Sequence, residues 1–299
     1  MAGITQFTLH RMRWYHWALT VVMLGAIYKI WFAEANLVAD RSYEITYREI
    51  REVSGLVTSI QNKNRLWVHN DGSRTLRLYL LSKDGILERR FRFPEVRTED
   101  FEDIAIHQEG DRPVLYIGDI GDNSSKRKAV RILRLPEPKV TDSIKDIRID
   151  SLFLRYPDGS RDAEAMLVDP QTRHLYIITK REDNPHVYKV SLDFTTGDTL
   201  EMKRVRKLSI PGAGVLGWVT AADISPDGSQ VVVRSYGNVF YWKRRPGELL
   251  EETFKRAPAT LSHTSELQGE AIGFSRNGKG FYTISEGRTP TMNYNYIRK

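Results

Sequence analysis

One short pattern occurs five times along this chain and limits the folds that the chain can adopt. Each copy has a small or acidic pair, an apolar run, a turn, and a second strand that starts with an apolar or aromatic pair. The copies begin at residues 54, 102, 163, 222 and 269, so they lie 48, 61, 59 and 47 residues apart. Short β-rich runs at this spacing are typical of repeated four-stranded sheets. We therefore predict an all-β propeller of about five blades, or six if one repeat is hidden.

The two ends of the repeated region complement each other. Only 29 residues follow Glu270 in the last copy, which is enough for three strands. The alternating run Tyr43–Ile50 precedes the first copy and belongs to no repeat. We expect it to complete the last blade and close the ring, because closure removes the unpaired strand edge of an open propeller.

An apolar segment precedes the repeats. Residues 14–32 are interrupted only by His16 and Lys29. In a helix this length rises about 28 Å, the hydrocarbon thickness of a bilayer. Basic residues precede the segment and no acid occurs before Glu34, so the positive-inside rule predicts a cytoplasmic N-terminus and an exported remainder. We predict a cytoplasmic stub with a transmembrane anchor or signal segment at residues 1–36 and a propeller domain at residues 37–299.

Two interpretations of this segment stay open. Aromatic side chains at both of its ends favour a retained anchor, which makes the membrane a partner and the protein a single-pass protein of the cell membrane. Ala33, Glu34 and Ala35 also form an A-x-A cleavage site, which would leave a periplasmic or secreted propeller. Both interpretations place the propeller outside the cytoplasm.

The composition limits the chemistry. The chain has no cysteine, which excludes thiol catalysis, cysteine-ligated zinc and disulfides. A formal net charge of +7 suits an anionic partner, with simple solubility as the alternative. The basic residues are spread along the chain without a nucleic-acid-binding motif, so nucleic acid is not the expected partner.

The repeats predict where chemistry could occur. The start of the first strand lies beside the end of the second strand in a hairpin, so residues at both places should meet at one mouth of the central channel. Aligned positions at the first-strand start are Gly55, Asp103, Glu164, Asp223 and Glu270, with Glu102 and Asp162 beside them. Positions at the second-strand end are His69-Asn70-Asp71, Asp119, Lys180-Arg181, Arg234 and Ser285-Glu286.

So many acids at one mouth need a counter-charge. Two carboxylates roughly 6 Å apart repel by about 3 kcal/mol at an effective dielectric near 20. Oxygen ligands without cysteine suit calcium or magnesium. We expect a metal site formed by Glu102, Asp103, Asp119, Glu164, Asp223, Glu270 and Glu286. A structural polar ring, paired with basic side chains, and a metal-free ligand site are the alternatives.

The runs LYIGDIGDN, DAEAMLVDP, LYIITKRE, TAADISPDG and QGEAI resemble those of a group of uncharacterised bacterial exported β-propeller proteins. That group is loosely similar to the phytase-like and strictosidine-synthase-like propellers. The resemblance covers most of residues 45–290 and implies calcium in or above the channel. Gly55, which stands where other copies have an acid, departs from this pattern.

Three functions follow as hypotheses. The first is a binding module whose cation-loaded mouth recognises a small-molecule or envelope ligand. The second is a metal-dependent hydrolase of phosphate esters or lactones. Its catalytic candidates are Lys180 and Arg234, which would stabilise negative charge, and His69, for which a structural role is the alternative. The third is a scaffold that binds proteins through its outer surfaces. The fold alone does not choose among them.

Overall fold

The computed structural model describes residues 39–212, 214–266 and 268–298. These residues form five sheets with very little helix, and all strand pairs but one are antiparallel. The strands of the first half are β1 (Arg41–Glu44), β2 (Val53–Thr58), β3 (Arg65–Asn70), β4 (Thr75–Ser82), β5 (Leu87–Arg97), β6 (Phe101–Glu109), β7 (Arg112–Asp119), β8 (Val130–Pro136) and β9 (Asp150–Arg155). A 3₁₀ turn at Ile144–Asp146 lies between β8 and β9.

The second half continues the same arrangement. Its strands are β10 (Ala163–Asp169), β11 (His174–Thr179), β12 (His186–Ser191), β13 (Thr199–Glu201), β14 (Lys203–Lys207), β15 (Val219–Ile224), β16 (Gln230–Ser235), β17 (Val239–Lys243), β18 (Ala259–Leu261), β19 (Gly269–Phe274), β20 (Gly280–Ser285) and β21 (Thr291–Tyr296). A 3₁₀ turn at Gly214–Gly217 precedes β15. The one-turn helix α1 (Leu250–Thr253) lies between β17 and β18.

Each sheet is one blade of a propeller, which confirms the predicted fold class. Blade 1 has the order β2-β3-β4-β5, blade 2 β6-β7-β8-β9, blade 3 β10-β11-β12-β14 and blade 4 β15-β16-β17-β18. Strand β13 adds a short parallel edge to blade 2. The inner strands of all blades are buried throughout most of their length, as their apolar runs predicted.

The fifth blade closes the ring with a strand from before the first repeat. Its order is β19-β20-β21-β1, with Arg41 opposite Tyr294 and Glu44 opposite Thr291. The expected closing strand at Tyr43–Ile50 was therefore right in role and wrong in extent. From Ile45 the chain leaves the sheet, because it must cross from the outermost strand of blade 5 to the innermost strand of blade 1. Ile45 and Ile50 are fully buried on this path.

The hydrophobic core is divided into five clusters, one between each pair of neighbouring blades. Trp67 of blade 1, for example, lies in one cluster with Ile117 of blade 2. Ile45 joins the cluster between blades 5 and 1, with Leu56 and Ala271. Burial of apolar surface between sheets, rather than disulfides, therefore holds the ring together.

A bulge interrupts the pairing of the first two strands at the same place in every blade. Phe101 pairs with Asp119 and Asp103 pairs with Gly118, which leaves Glu102 as the extra residue. The extra residues of the five blades are Ser54, Glu102, Glu164, Thr220 and Glu270. Bulges re-aim side chains locally, and these five mark the start of each inner strand at one end of the channel.

No helix in residues 39–212, 214–266 and 268–298 is long and apolar enough to cross a membrane. The apolar segment at residues 14–32 and the predicted domain boundary after residue 36 lie outside the described residues.

Candidate functional site

Three carboxylates from two blades meet at the channel mouth. Asp71 follows β3, Asp100 precedes β6, and Glu102 is the bulge residue of β6. One oxygen from each lies within 4.8 Å of the other two. Glu102 is buried and Asp71 and Asp100 are half-buried. We call these three residues the mouth triad.

The surroundings of the mouth triad disfavour its charged form. Burial, followed by the charge of Asp100, raises the pKa of Asp71 to about 7. Burial and then Glu164 raise the pKa of Glu102 well above its ordinary value. Burial also raises the pKa of Asp100. Three full charges here therefore need either shared protons or a cation.

Asp119 supports the mouth triad from behind. Its carboxylate accepts a hydrogen bond from the backbone amide of Asp100 at 3.0 Å. It also forms ion pairs with Arg131 at 2.7 Å and Arg127 at 3.1 Å. The structure thus places Asp119, one of the sequence-predicted ligands, under the loop that carries Asp100, with its own charge matched by two guanidinium groups.

The opposite side of the mouth contains the only buried lysine of the described residues. The Lys180 ammonium group contacts the Glu164 carboxylate and lies 3.1 Å from the Tyr236 hydroxyl. Its nitrogen is also 5.0 Å from the centre of the Tyr236 ring. Burial lowers the pKa of Lys180, but Glu164 and then Glu270 outweigh burial and raise it. Lys180 is therefore charged at neutral pH.

Glu270 and Glu286 continue the acidic surface on blade 5. Glu270 is the bulge residue of β19, and Glu286 follows β20. Burial, followed by the charge of Glu270 and then of Asp71, raises the pKa of Glu286 to about 8. The mouth thus joins blades 1, 2, 3 and 5 electrostatically.

Blade 3 also contributes a cation at the rim. Arg181 donates to Asp162 at 2.5 Å, and its guanidinium group lies 4.6 Å from the centre of the Trp218 ring. The acids of the mouth outnumber its cations. The acids are Glu52, Asp71, Asp100, Glu102, Asp162, Glu164, Glu270 and Glu286, and the cations are Arg127, Lys180 and Arg181.

Asp103 and Asp223 lie deeper and join blades. Asp103 is fully buried and accepts from the backbone amides of Met166 at 2.8 Å and Ala222 at 3.2 Å. Asp223 accepts from the backbone amide of Phe274 at 2.6 Å. The structure does not bring either residue into the mouth triad. The repeat alignment put Asp103 and Asp223 at the position that the bulge residue takes in each blade. The bulge residues are Glu102, one residue before Asp103, and Thr220, three residues before Asp223.

Arg234 and His69 are also inside the protein. Arg234 is fully buried and donates to Glu266 at 2.6 Å and to the carbonyl of Ala271 at 3.3 Å. His69 is fully buried, with its ring 5.8 Å from that of Phe101. Burial lowers the pKa of His69 to about 4, so the ring is neutral at physiological pH. Neither candidate catalytic group lies with the mouth triad.

Sequence reasoning placed Asp71 at the mouth without choosing it as a ligand, and it missed Asp100 and Tyr236. The signal for Asp100 was the acidic pair Glu99-Asp100 directly before an inner strand. Tyr236 gave no signal, since it follows β16 by one residue and carries no charge.

No model of a protein family matches the chain, and no curated protein matches it. Among solved structures, the chain is similar to one in the crystal structure of a nidogen/laminin complex. The two are 14% identical, the match covers 79% of this chain and 72% of that one, and the TM-score is 0.47.

Proposed function

We propose that this chain is a ligand-binding β-propeller whose mouth triad holds a divalent cation, calcium or magnesium. One observation carries the proposal. Asp71, Asp100 and Glu102 bring oxygens within 4.8 Å of each other, yet within the described residues none of them forms an ion pair with a basic side chain. A cation would supply the missing charge.

The donors suit this ion class. All three groups are carboxylates, and hard cations prefer oxygen ligands. Ser54 donates to Glu102 at 3.2 Å and Asn123 donates to Asp100 at 3.2 Å, so two of the three carboxylates are oriented by neighbours. A bound cation would give the mouth a positive pole for an anionic oxygen of a ligand. Asp103, Asp119 and Asp223 have other partners, so the proposed ligand set is smaller than the sequence indicated.

Calorimetry on the full chain with calcium and with magnesium tests the site. We expect Glu102→Gln and Asp100→Asn to weaken cation binding at least tenfold, the size usual for losses around a metal. Asp111→Asn is the matched control, because Asp111 is an exposed acid in the β6–β7 turn at the other end of blade 2. Absence of cation binding to the unmodified chain would refute the proposal.

We also propose that the propeller lies outside the cytoplasm, attached to the cell membrane through residues 14–32. The apolar segment, the basic residues before it and the resemblance to exported propellers support this location. Protease added to intact cells or spheroplasts should digest the propeller. Protection of the propeller until the membrane is dissolved would contradict the assignment.

A metal-dependent hydrolase is the second candidate. Lys180 and the Tyr236 hydroxyl lie 3.1 Å apart on the side of the mouth opposite the triad, where they could bind an anionic or carbonyl oxygen. The full chain should be assayed with phosphate esters and lactones in excess calcium. Activity that Glu102→Gln and Lys180→Met both abolish would favour the hydrolase, whereas cation binding without any turnover would favour the binding module.

A further inference from the structure

The face of blade 1 that is turned toward blade 5 carries an excess of positive charge on the two outer strands of the blade. Arg77 on β4 lies directly opposite Arg92 on β5. Tyr79, two residues further along β4, lies opposite Arg90. Residues two apart on a strand share a face, so the three arginines and Tyr79 lie on one side of the blade. All three arginines are exposed. We call Arg77, Arg90 and Arg92 the basic face.

One carboxylate balances three guanidinium groups there. Glu49 forms an ion pair with Arg90 at 2.5 Å. Arg92 also acts on Glu49, lowering its pKa, though less than Arg90 does. Neither Arg77 nor Arg92 forms an ion pair within the described part of the chain. The basic face therefore keeps a net charge of about +2.

The register of β4 and β5 makes the uncompensated charge of the basic face destabilising for the blade. Like charges directly opposite each other on neighbouring strands destabilise a sheet, and Arg77 and Arg92 are opposite each other. Strand β5 is the outermost strand of blade 1, so its outer edge has no further strand. Arginine on an edge strand also discourages strand addition, but that role does not require two arginines opposite each other.

The basic face lies beside the segment that follows the closing strand β1, whereas Ala39, which precedes β1, donates to Thr264 at 2.8 Å. Ile45, directly after the closing strand, packs in the same hydrophobic cluster as Tyr79. The first described residue is Ala39, and only seven peptide units separate it from Phe32 at the end of the apolar segment. That length spans at most about 25 Å. A propeller attached through this segment would stay close to the bilayer.

We propose that the basic face docks the propeller against an anionic lipid surface. Arginine binds phosphate groups through paired N–H donors, and the short connection to residues 14–32 makes the lipid headgroups of the same membrane the partner within reach. The choice of partner rests on the proposed membrane attachment, whereas the charge of the face does not.

The absence of cysteine allows a direct test on the full chain. A fluorophore on Glu95→Cys, in β5, reports on blade 1. The same label on Glu252→Cys, an exposed acid of α1 in blade 4, is the matched control. The chain is placed in nanodiscs of phosphatidylcholine alone, or with about one lipid in three replaced by phosphatidylglycerol, with a quencher on the lipid headgroups. We expect quenching at position 95, and not at 252, only with the anionic lipid.

Charge removal provides the second arm. Arg77→Gln with Arg92→Gln should lower the ratio of docked to undocked protein roughly 30-fold, since each basic residue near such a surface contributes about 1 kcal/mol. Lys203→Gln with Lys207→Gln removes the same charge from the outer strand β14 of blade 3 and should change little. Quenching that is equal in the two lipids, or equal loss in both double variants, would overturn the proposal.

Membrane attachment through residues 14–32 and docking through the basic face can be refuted independently of each other. If the chain does not enter nanodiscs, membrane attachment through residues 14–32 is wrong, and docking is then measured by cosedimentation with vesicles of the same two compositions. Sedimentation of the unmodified chain with anionic vesicles, lost in Arg77→Gln with Arg92→Gln, supports the basic face. Failure to sediment refutes it.

Discussion

Arg244 and Asp169 form a buried ion pair with two hydrogen bonds, at 2.8 and 3.1 Å, that joins blade 4 to blade 3. Asp169 ends the inner strand β10, and Arg244 follows the third strand β17. The backbone amide of Arg244 donates to the carbonyl of Ser229, as the amide of Glu137 donates to that of Pro113 in blade 2. The Glu137 carboxylate accepts a hydrogen bond from the indole N–H of Trp67 in blade 1 at 2.8 Å. Equivalent positions of different blades thus carry opposite charges for the same purpose, which is contact with the preceding blade.

Removing one partner of this pair should be far worse than removing an exposed ion pair. Arg244→Met leaves Asp169 buried without its cation, and we expect a loss of about 3–5 kcal/mol in the free energy of unfolding. Arg148→Met, which breaks an exposed pair with Asp150, should change it by less than about 1 kcal/mol. Denaturant unfolding of both variants measures the difference, and equal losses would contradict the role given to Arg244.

The pH dependence of the free energy of unfolding should reflect the titration of Asp223. Burial raises its pKa to about 7, against an ordinary value of 3.8. Between these two values the folded chain holds a proton that the unfolded chain has released, so this group makes stability fall as pH rises from about 4 to 7. Asp223→Asn should make that part of the stability curve less steep, and the raised pKa values of Asp71 and Glu286 should account for slope that remains. Thermal unfolding across the range is the measurement, and an unchanged slope in the variant would assign the pH dependence elsewhere.

Lys180→Met should separate stability from cation affinity. The substitution leaves Glu164 buried without its partner, which should cost about 3 kcal/mol or more in folding. It also removes a positive charge from the mouth, so calcium should bind several times more tightly. Calorimetry and denaturant unfolding of the same variant test both effects. Lys83→Met, at an exposed turn of blade 1, is the control, and weaker calcium binding in Lys180→Met would contradict a cation near this lysine.

Gly55 is required by a close approach of His69. A Cβ atom at position 55 would lie 2.2 Å from Nε2 of His69 and 2.9 Å from the side chain of Ile104. Gly55→Ala should therefore cost about 1–3 kcal/mol of stability by overpacking. In the His69→Ala background, where the ring is gone and only the contact with Ile104 remains, the same change should cost less. A double-mutant cycle by denaturant unfolding measures this coupling, and additive losses would refute the contact.

The five repeats were readable because each inner strand is buried on both faces and is therefore largely apolar between its small or acidic start and the turn that follows it. That constraint leaves a periodic mark in the sequence and predicted about five blades, with six left open until the structure showed five. The alignment of the repeats also predicted that Glu102, Glu164 and Glu270 lie at one channel mouth, since hairpin geometry brings their positions together. Whether a cation binds there stays a prediction.

The sequence could not place every acid correctly, because a bulge adds one residue to a strand without a distinct sequence signal. Asp103 and its neighbour Glu102 were both assigned to the mouth, yet the bulge makes their side chains point to different places. Glu102 meets Ser54 at the mouth, and Asp103 meets backbone amides of blades 3 and 4. The extent of the closing strand was missed for a similar reason, since the alternation continues to Ile50 while the chain has already left the sheet.

Local pattern alone predicted a propeller of short strands with about five or six blades, because apolar runs and turns recur with the spacing of a four-stranded blade. Only the tertiary structure decided which charges meet. Asp119 is matched by Arg127 and Arg131, whereas Asp71, Asp100 and Glu102 face one another. Electrostatic energy depends on distances between side chains from different blades, and those distances exist only once the ring has closed.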